Sequence, residues 1–301
     1  MYGKTVLVTG ASSGVGFVTA RELARMGAQV LMVCRDMARG AHARAAVEGA
    51  ATGAAPLLLL ADMSLLSRVR ALARDVRQRV GKIDVLINNA GAIFERREFT
   101  AEGIEKTWAT NHLGAFLLTN LVLDLVTAAQ GGRIVNVASE SYASKLELDN
   151  LQGEKRYGFL NAYFRSKLAN IIFTVDLARR LQSTGVTVNA ASPGPTRTGF
   201  GDNMTGLPSL FPRLAKLFCA SPERGARTLI YLASSPEVAG VSGRFFLRQR
   251  ARQTKPVTQD REVAARLWSI SAELVGLSSA REAAAPEIQI DVSSGRAARA
   301  S

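Results

Sequence analysis

The chain has 301 residues, a formal net charge of +13 at pH 7 and a pI near 10.4, with 47% hydrophobic and 21% charged residues. This composition is typical of a globular protein with one large core, and it excludes a disordered or fibrous chain. The apolar runs are shorter than the roughly 20 residues that span a bilayer, so no transmembrane segment is predicted. The first strand-like run begins at Lys4, which leaves no room for a signal peptide, and two cysteines make neither a disulfide framework nor a zinc cluster. We therefore expect a cytoplasmic protein without a metal site.

The positive charge alone permits binding to nucleic acid or to an anionic membrane. The basic residues, however, are spread over helical patterns such as "RVRALARDVRQRVGK", and no nucleic-acid-binding motif is present. The densest stretch, "RFFLRQRARQTK" at 244–255, contains five basic residues and no acidic one. We interpret it as a solvated face or a weak peripheral contact with a membrane or a partner. No nucleic-acid partner is expected.

Apolar runs rich in β-branched residues alternate with longer helical patterns, which is typical of βαβ units and a parallel sheet. The fold class is therefore α/β: a single-domain doubly wound parallel sheet, or Rossmann fold, of about seven strands with helices on both faces. Strands are predicted at 4–9, 28–34, 57–61, 83–87, 132–138, 186–191 and 243–247, and the helices between them include 15–26, 64–80, 101–127 and 160–183.

One catalytic domain is expected over residues 1–277, because neither a linker nor an internal repeat divides the alternation. Residues 201–220, "GDNMTGLPSLFPRLAKLFCA", interrupt it with Gly, Pro, Leu and Phe, as a lid over an apolar pocket would. Residues 278–301 lose periodicity and large apolar side chains, so a disordered tail is predicted there.

The first strand runs into "TGASSGVG" at 9–16 and then into a helix. Glycines at this turn allow backbone N–H groups and the helix N-terminus to approach a pyrophosphate. The motif has the strand–turn–helix context that dinucleotide binding requires. The predicted cofactor-binding residues of this loop are Gly10, Ser12, Ser13, Gly14, Val15 and Gly16.

The second strand ends in "QVLMVCRD", where NAD-selecting members of this fold carry an acidic residue that binds the ribose hydroxyls. Here Cys34 takes that position and Arg35 follows. A guanidinium can pair with a 2′-phosphate, so NADP(H) is favoured over NAD. The alternative is that Arg35 is a surface residue and Asp36 binds the ribose.

The third and fourth strands are also followed by polar or small residues at the sheet edge where ligands of open α/β sheets bind. "LADMS" places Asp62 and Met63 after the third strand. "LINNAG" places Asn89, Ala90 and Gly91 after the fourth. These five residues are further candidates for cofactor binding.

Tyr163 and Lys167 stand four residues apart in "AYFRSKLANI", so one helix face carries both. Of the five tyrosines, only Tyr163 has a lysine at this spacing. An ordinary tyrosine has a pKa near 10, too high for ready proton exchange at neutral pH. A nearby positive charge favours the phenolate, so Lys167 and the positive nicotinamide of an oxidised cofactor are together expected to lower the pKa of Tyr163.

"TGASSGVG", "NNAG", Asn111, "VNVAS" ending at Ser139, the Tyr163–Lys167 pair and "SPGPTRT" at 192–198 occur in one order. In that order they resemble the short-chain dehydrogenase/reductase family over residues 3–275. "AYFRSKLANIIFTVDLARRL" and "TGVTVNAASPGPTRT" resemble its branch of retinol dehydrogenases and related carbonyl reductases.

The resemblance implies an NADP-dependent oxidoreductase acting on a small hydrophobic carbonyl or alcohol. Tyr163 would transfer the proton, Lys167 would also hold the nicotinamide ribose, and Ser139 would bind the substrate carbonyl. Asn111 would position a water in a relay to the lysine. Further cofactor contacts implied by the same resemblance are Pro193, Gly194 and Thr196. From the same resemblance we expect a homodimer or a homotetramer.

The sequence departs from the family pattern at two points, and two functional classes other than an enzyme remain as alternatives. The gap of 24 residues between Ser139 and Tyr163 is long for the family. Vertebrate members commonly carry an N-terminal membrane anchor, which is not expected here, and this counts against a retinoid substrate. The alternatives to an enzyme are a non-catalytic NADP sensor and a membrane- or nucleic-acid-associated binding protein. The two histidines, His42 and His112, lack a recognisable catalytic or metal-binding motif and are predicted not to be catalytic.

Overall fold

The structure is a computed structural model that describes residues 1–194 and 220–277. The predicted tail at 278–301, residues 201–219 of the predicted lid and the predicted cofactor contact Thr196 lie outside these residues.

One sheet dominates the described part of the chain, with strand order β3-β2-β1-β4-β5-β6-β7-β8. Strands β1 to β7 pair in parallel, and β8 pairs antiparallel with β7. The predicted doubly wound α/β fold is confirmed, with one strand more than expected. The strands are β1 Thr5–Thr9, β2 Gln29–Cys34, β3 Leu57–Leu60, β4 Val85–Asn88, β5 Arg133–Val137, β6 Thr187–Ser192, β7 Phe245–Leu247 and β8 Arg250–Arg252.

Helices cover both faces of this sheet. They are α1 Gly14–Arg25, α2 Met37–Glu48, α3 Leu66–Arg79, α4 Lys106–Trp108, α5 Gly114–Leu121, α6 Leu123–Thr127, α7 Phe159–Arg180, α8 Pro222–Ser234 and α9 Arg261–Leu274. A π-helical turn, Ala109–Leu113, joins α4 to α5. Within the described ranges, no helix is both long enough and apolar enough to cross a membrane.

Alternate residues of the strands face two separate cores. In β1, Leu7 packs into the core under α3, α5, α7 and α9, while Val6 and Val8 pack into the core under α1, α2 and α8. All five residues of β1 are buried. Strands buried on both faces are near-continuously apolar, which explains the runs that located them in the sequence.

Three elements differ from the sequence prediction. The helix expected over 101–127 begins at Lys106 and is interrupted by the π-helical turn and again near Val122. Helix α2 was not located, because its buried side is made of Gly40, Ala43 and Val47 and gives a weak apolar stripe. Strand β8 lies in the basic stretch and is fully exposed, so it has no apolar alternation.

Candidate active site

The glycine loop and the loop after β4 meet at the carboxyl edge of β1 and β4, where the direction of strand order reverses. Gly10 has a φ of +68°, and a Cβ there would lie 3.0 Å from the Ala90 Cα. A Cβ on Gly16 would lie 2.3 Å from both the Asn89 Nδ2 and the Gly10 carbonyl oxygen. The two loops are therefore packed backbone to backbone, and glycine is required at both positions.

The N-terminus of α1 opens toward this edge. Its N-cap residue, Ser13, has extended backbone and makes no side-chain capping hydrogen bond, and the first turn contains no acidic residue. The partial positive charge of a helix N-terminus favours an anion. Gly14, the first helical residue, has a φ of +57°, which a side chain would strain. This geometry fits a cofactor pyrophosphate.

Thr9 fixes the loop after β4. Its Oγ1 accepts hydrogen bonds from the backbone N–H groups of Asn89 (2.9 Å) and Ala90 (3.0 Å). The Asn89 side chain donates back to the Thr9 carbonyl at 2.8 Å. The next residue, Gly91, has its Cβ position 3.5 Å from the Lys167 Nζ, so the loop runs directly beside the lysine.

Tyr163 and Lys167 lie on one face of α7, as their spacing predicts. The Lys167 Nζ is 5.6 Å from the centroid of the Tyr163 ring and donates to the Val137 carbonyl at 3.0 Å. Lys167 is 3% exposed, and this burial lowers its pKa to about 8. A lysine with this pKa remains mostly charged at neutral pH but loses its proton within the weakly alkaline range.

Ser139 follows β5 and reaches the tyrosine from the sheet side. Its Oγ accepts a hydrogen bond from the Ser141 N–H at 3.0 Å, and its hydroxyl is hydrogen-bonded to Tyr163. Ser139, from one motif, and Tyr163 and Lys167, from another, are therefore together in space.

The pKa of Tyr163 does not move in the direction expected from the sequence. Burial disfavours the phenolate and raises the pKa, and the hydrogen bond with Ser139 only partly opposes this effect. The residues of the chain alone therefore do not produce the lowered pKa that was expected from Lys167 and an oxidised nicotinamide together.

Asn111 lies in the π-helical turn and is fully engaged by its surroundings. Its Oδ1 accepts from the Ala92 N–H at 2.7 Å, and its Nδ2 donates to the Ala92 carbonyl (2.9 Å) and to the Ser166 Oγ (3.0 Å). The Ser166 Oγ donates to the carbonyl of Tyr163 at 2.7 Å. The side chain therefore ties the loop after β4 to the catalytic helix, and its backbone carbonyl faces Asn170.

The residues at the carboxyl end of β2 differ in what they contact. Arg35 is exposed at the carboxyl end of the strand. The Asp36 carboxylate caps α2 by accepting from the Arg39 N–H at 2.8 Å. The Cys34 thiol is hydrogen-bonded to Ser12 of the glycine loop, and burial raises its pKa to about 11, so it is an inert packing group.

The residues after β3 and β6 complete this edge. The Asp62 Oδ1 accepts from the backbone N–H (2.9 Å) and the hydroxyl (2.7 Å) of Ser64, and the buried Met63 has its carbonyl against Gly114. After β6, Pro193 is followed by Gly194, whose φ is +74° and whose N–H donates to the Ser192 Oγ at 3.1 Å. These predicted contacts lie on the cofactor side of the sheet.

Sequence reasoning missed several polar residues that hold the site in place: Thr9, Ser166, Asn170 and Ser192. Each is a small polar residue that the fold buries, and no motif or spacing in the sequence marks it. Among the described residues, no group of three or more His, Cys, Asp and Glu could hold a metal ion.

Comparison with known proteins identifies the family and the fold of the chain. The family model described as short chain dehydrogenase matches residues 4–206. The chain is 44% identical to human retinol dehydrogenase 14 over 295 residues, covering 92% of this chain and 88% of the relative. A solved protein from Mycobacterium Paratuberculosis shares 34% identity at a TM-score of 0.72 over 91% of this chain and 94% of that one.

A third similar protein was solved with a nucleotide. It is described as an NAD(P)-dependent gluconate 5-dehydrogenase from Beutenbergia cavernae, with NADP bound at low occupancy. Its sequence is 27% identical, with a TM-score of 0.65 over 82% of this chain and 96% of that chain.

Proposed function

We propose, because the chain belongs to the short-chain dehydrogenase/reductase family, that it transfers a hydride between NADP(H) and a hydrophobic aldehyde, ketone or alcohol, with Tyr163 as acid and base. The observation that carries this proposal is the convergence of Ser139, Tyr163 and Lys167 beside the glycine loop and Gly91. When bound there, the nicotinamide supplies or removes the hydride. The residues of the chain bind, orient and move the proton.

In the reductive direction, Tyr163 donates its phenolic proton to the oxygen that gains negative charge as the carbonyl is reduced. The raised pKa keeps this proton on the tyrosine before reaction. Ser139 can hold the same oxygen, because its hydroxyl already lies within hydrogen-bond reach of the tyrosine. In the oxidative direction, the positive charges of Lys167 and of an oxidised nicotinamide would together favour the phenolate.

Asn111 would support the return of the proton through a water molecule. Its side-chain amide already binds Ala92 and Ser166, while its backbone carbonyl accepts a hydrogen bond from the Asn170 Nδ2 at 2.9 Å. A carbonyl oxygen has two lone pairs, so the second can accept from a water next to Lys167.

Preference for NADP(H) rests on the two residues after Cys34. The Asp36 carboxylate is held by its own helix, whereas the Arg35 guanidinium is exposed at the edge where an adenosine ribose would lie. A guanidinium pairs with phosphate through charge-assisted hydrogen bonds. The structure with bound NADP among the similar proteins supports the same choice.

The substrate class follows from the retinol dehydrogenase relatives and from the segment between Ser139 and Tyr163. That segment runs beside Tyr163, because the Ala143 N–H donates to the Phe164 carbonyl at 3.1 Å. It is anchored further away, where Tyr157 donates to the Phe94 carbonyl at 2.8 Å and Lys255 donates to the Tyr142 carbonyl at 3.0 Å. We infer that it forms one wall of an apolar substrate site. A cytoplasmic location and a homodimer or homotetramer stay predictions.

A panel of decanal, benzaldehyde, cyclohexanone and all-trans-retinal, assayed with NADPH and with NADH, tests the proposal. We expect turnover of at least one hydrophobic aldehyde, faster with NADPH. NADPH binding without turnover of any carbonyl, or of the matching alcohols with NADP, would favour a non-catalytic sensor instead. Salt-sensitive binding to anionic vesicles or nucleic acid that survives substitution of Tyr163 would favour the third class.

A further inference from the structure

A continuous line of buried polar groups leads from α9 to the active-site lysine. The His112 Nε2 lies 2.9 Å from the Ser271 Oγ, and its Nδ1 lies 3.3 Å from the Asn170 Oδ1. The Asn170 Nδ2 donates to the carbonyls of Asn111 (2.9 Å) and Val137 (3.3 Å). The Val137 carbonyl also accepts from Lys167 at 3.0 Å. His112 and Ser271 have 0% exposure and Asn170 has 4%, so none of these bonds competes with bulk water.

Hydrogen-bond chemistry determines which group donates and which accepts in each of these contacts. Two carbonyl oxygens face the Asn170 amide, so its NH₂ group must point to them and its Oδ1 must accept from His112. His112 is neutral, since burial lowers its pKa to about 4. A neutral imidazole has a single N–H, which must therefore be at Nδ1. The Nε2 then accepts from the Ser271 hydroxyl.

We propose that His112 is a positioning residue that acts through Asn170 on the Val137 carbonyl, which holds Lys167. This inference rests on the role proposed for Lys167. The Nδ1–H of His112 binds the Asn170 Oδ1 in the orientation that the two carbonyl oxygens require, and so holds the amide in place. In that orientation two N–H donors, from Asn170 and Lys167, share the Val137 oxygen, and the position of the ammonium beside Tyr163 is set from outside the catalytic face.

Loss of the Nδ1 donor would leave the buried Asn170 Oδ1 without a hydrogen-bond partner, although the two carbonyl oxygens would still hold the NH₂ group. The amide would then shift to find another donor, and the Val137 oxygen that it shares with Lys167 would shift with it. A displaced lysine would contact Tyr163 and the cofactor ribose less well. Turnover and NADPH binding should therefore fall together.

Two conservative variants separate this role from simple core packing. The amide nitrogen of Asn is bonded to Cγ, like the His Nδ1, so His112→Asn can still donate to Asn170. His112→Gln extends its amide toward Ser271 and leaves Asn170 without a donor. Leu267→Ala, on the same side of α9 and 2% exposed, is the destabilised control without a hydrogen bond.

Steady-state kinetics with the fastest aldehyde of the panel, NADPH titration and thermal unfolding are measured on all four proteins. We expect His112→Gln to lower kcat by about 2- to 12-fold, the range for one lost hydrogen bond, and to weaken NADPH binding. His112→Asn should keep both within about twofold, and Leu267→Ala should lower Tm by several degrees with kcat retained. Equal losses in the Asn and Gln variants, or kcat that tracks Tm in all of them, would overturn the proposal.

Nitrogen NMR of the histidines tests the same inference without turnover. The chain has two histidines, and His42 is exposed, so the His112 signals can be assigned by the His112→Asn variant. We expect the His112 proton on Nδ1 and a bare Nε2. A bare Nδ1 would overturn the proposal. If Nδ1 carries the proton and the variants alter NADPH affinity as expected, but no carbonyl is reduced, then the proposed function fails and the positioning role stands.

Discussion

Gly16→Ala tests the packing of the cofactor loop most sharply. The added Cβ would meet a backbone atom, the Gly10 carbonyl oxygen, which cannot move aside as the end of a flexible side chain can. The new Cβ would lie 2.3 Å from the Gly10 carbonyl oxygen and from the Asn89 Nδ2, whereas real Cβ contacts essentially never fall under 3.0 Å. The start of α1 must therefore move by about 0.7 Å or more away from the loop after β4. Overpacking of this kind costs about 1–3 kcal/mol, or about 2–12 °C in Tm for a chain of this size.

The same displacement moves the helix N-terminus that faces the pyrophosphate. We expect the NADPH Kd, measured by fluorescence titration, to rise by about tenfold or more, because cofactor contacts depend on sub-ångström placement. Gly81→Ala is the matched control, since a Cβ at Gly81 meets no atom within 4 Å and its φ is not positive. If Gly16→Ala matched Gly81→Ala in both Tm and NADPH Kd, the loop-to-loop packing described above would be refuted.

Three further predictions concern charged residues of the site. Lys167→Ala should lower kcat and raise the NADPH KM together; a change in KM alone would contradict its contact with Tyr163. Arg35→Ala should lose about 10- to 150-fold of the NADPH preference in kcat/KM with little change for NADH, and an unaltered preference would point to Asp36. Because the pKa of Lys167 is about 8 when folded and near 10.5 otherwise, the unfolded chain binds more protons in that window. The wild-type free energy of unfolding, measured by denaturant titration against Lys167→Met, should therefore rise by at most about 3 kcal/mol from pH 8 to 10.5. A flat difference would show that the lysine is not desolvated.

The strands that carry the site were predictable, because parallel strands buried on both faces leave continuous apolar runs. The residues after them could be placed for the same reason: parallel strands bring their carboxyl ends to one edge. Helix α2 left no such signal, since it packs through Gly40 and Ala43. The β7–β8 hairpin turns at Arg248 and Gln249, with φ of +51° and +62°, where the Gly or Asn that usually marks such a turn is missing.

The site likewise contains residues that the sequence predicted and features that it did not. Motifs and spacing identified Ser139, Tyr163 and Lys167, but not the direction of the Tyr163 pKa, which depends on how much water reaches the ring. Nor did they identify the residues behind Lys167, because His112, Asn170 and Ser271 meet only when the π-helical turn, α7 and α9 pack together. Side chains that act through tertiary contacts leave no local pattern in one sequence.

The most direct test of the proposed reaction is Tyr163→Phe, measured beside the wild type for aldehyde reduction and for NADPH binding. The substitution removes one hydroxyl and leaves the ring that packs beside Phe164 and Lys167. The account predicts that turnover is lost while the NADPH Kd stays within a few-fold of the wild-type value, because the tyrosine supplies the proton and not the cofactor's main contacts. Retention of more than a few per cent of the wild-type kcat would show that another group transfers the proton and would contradict the assignment.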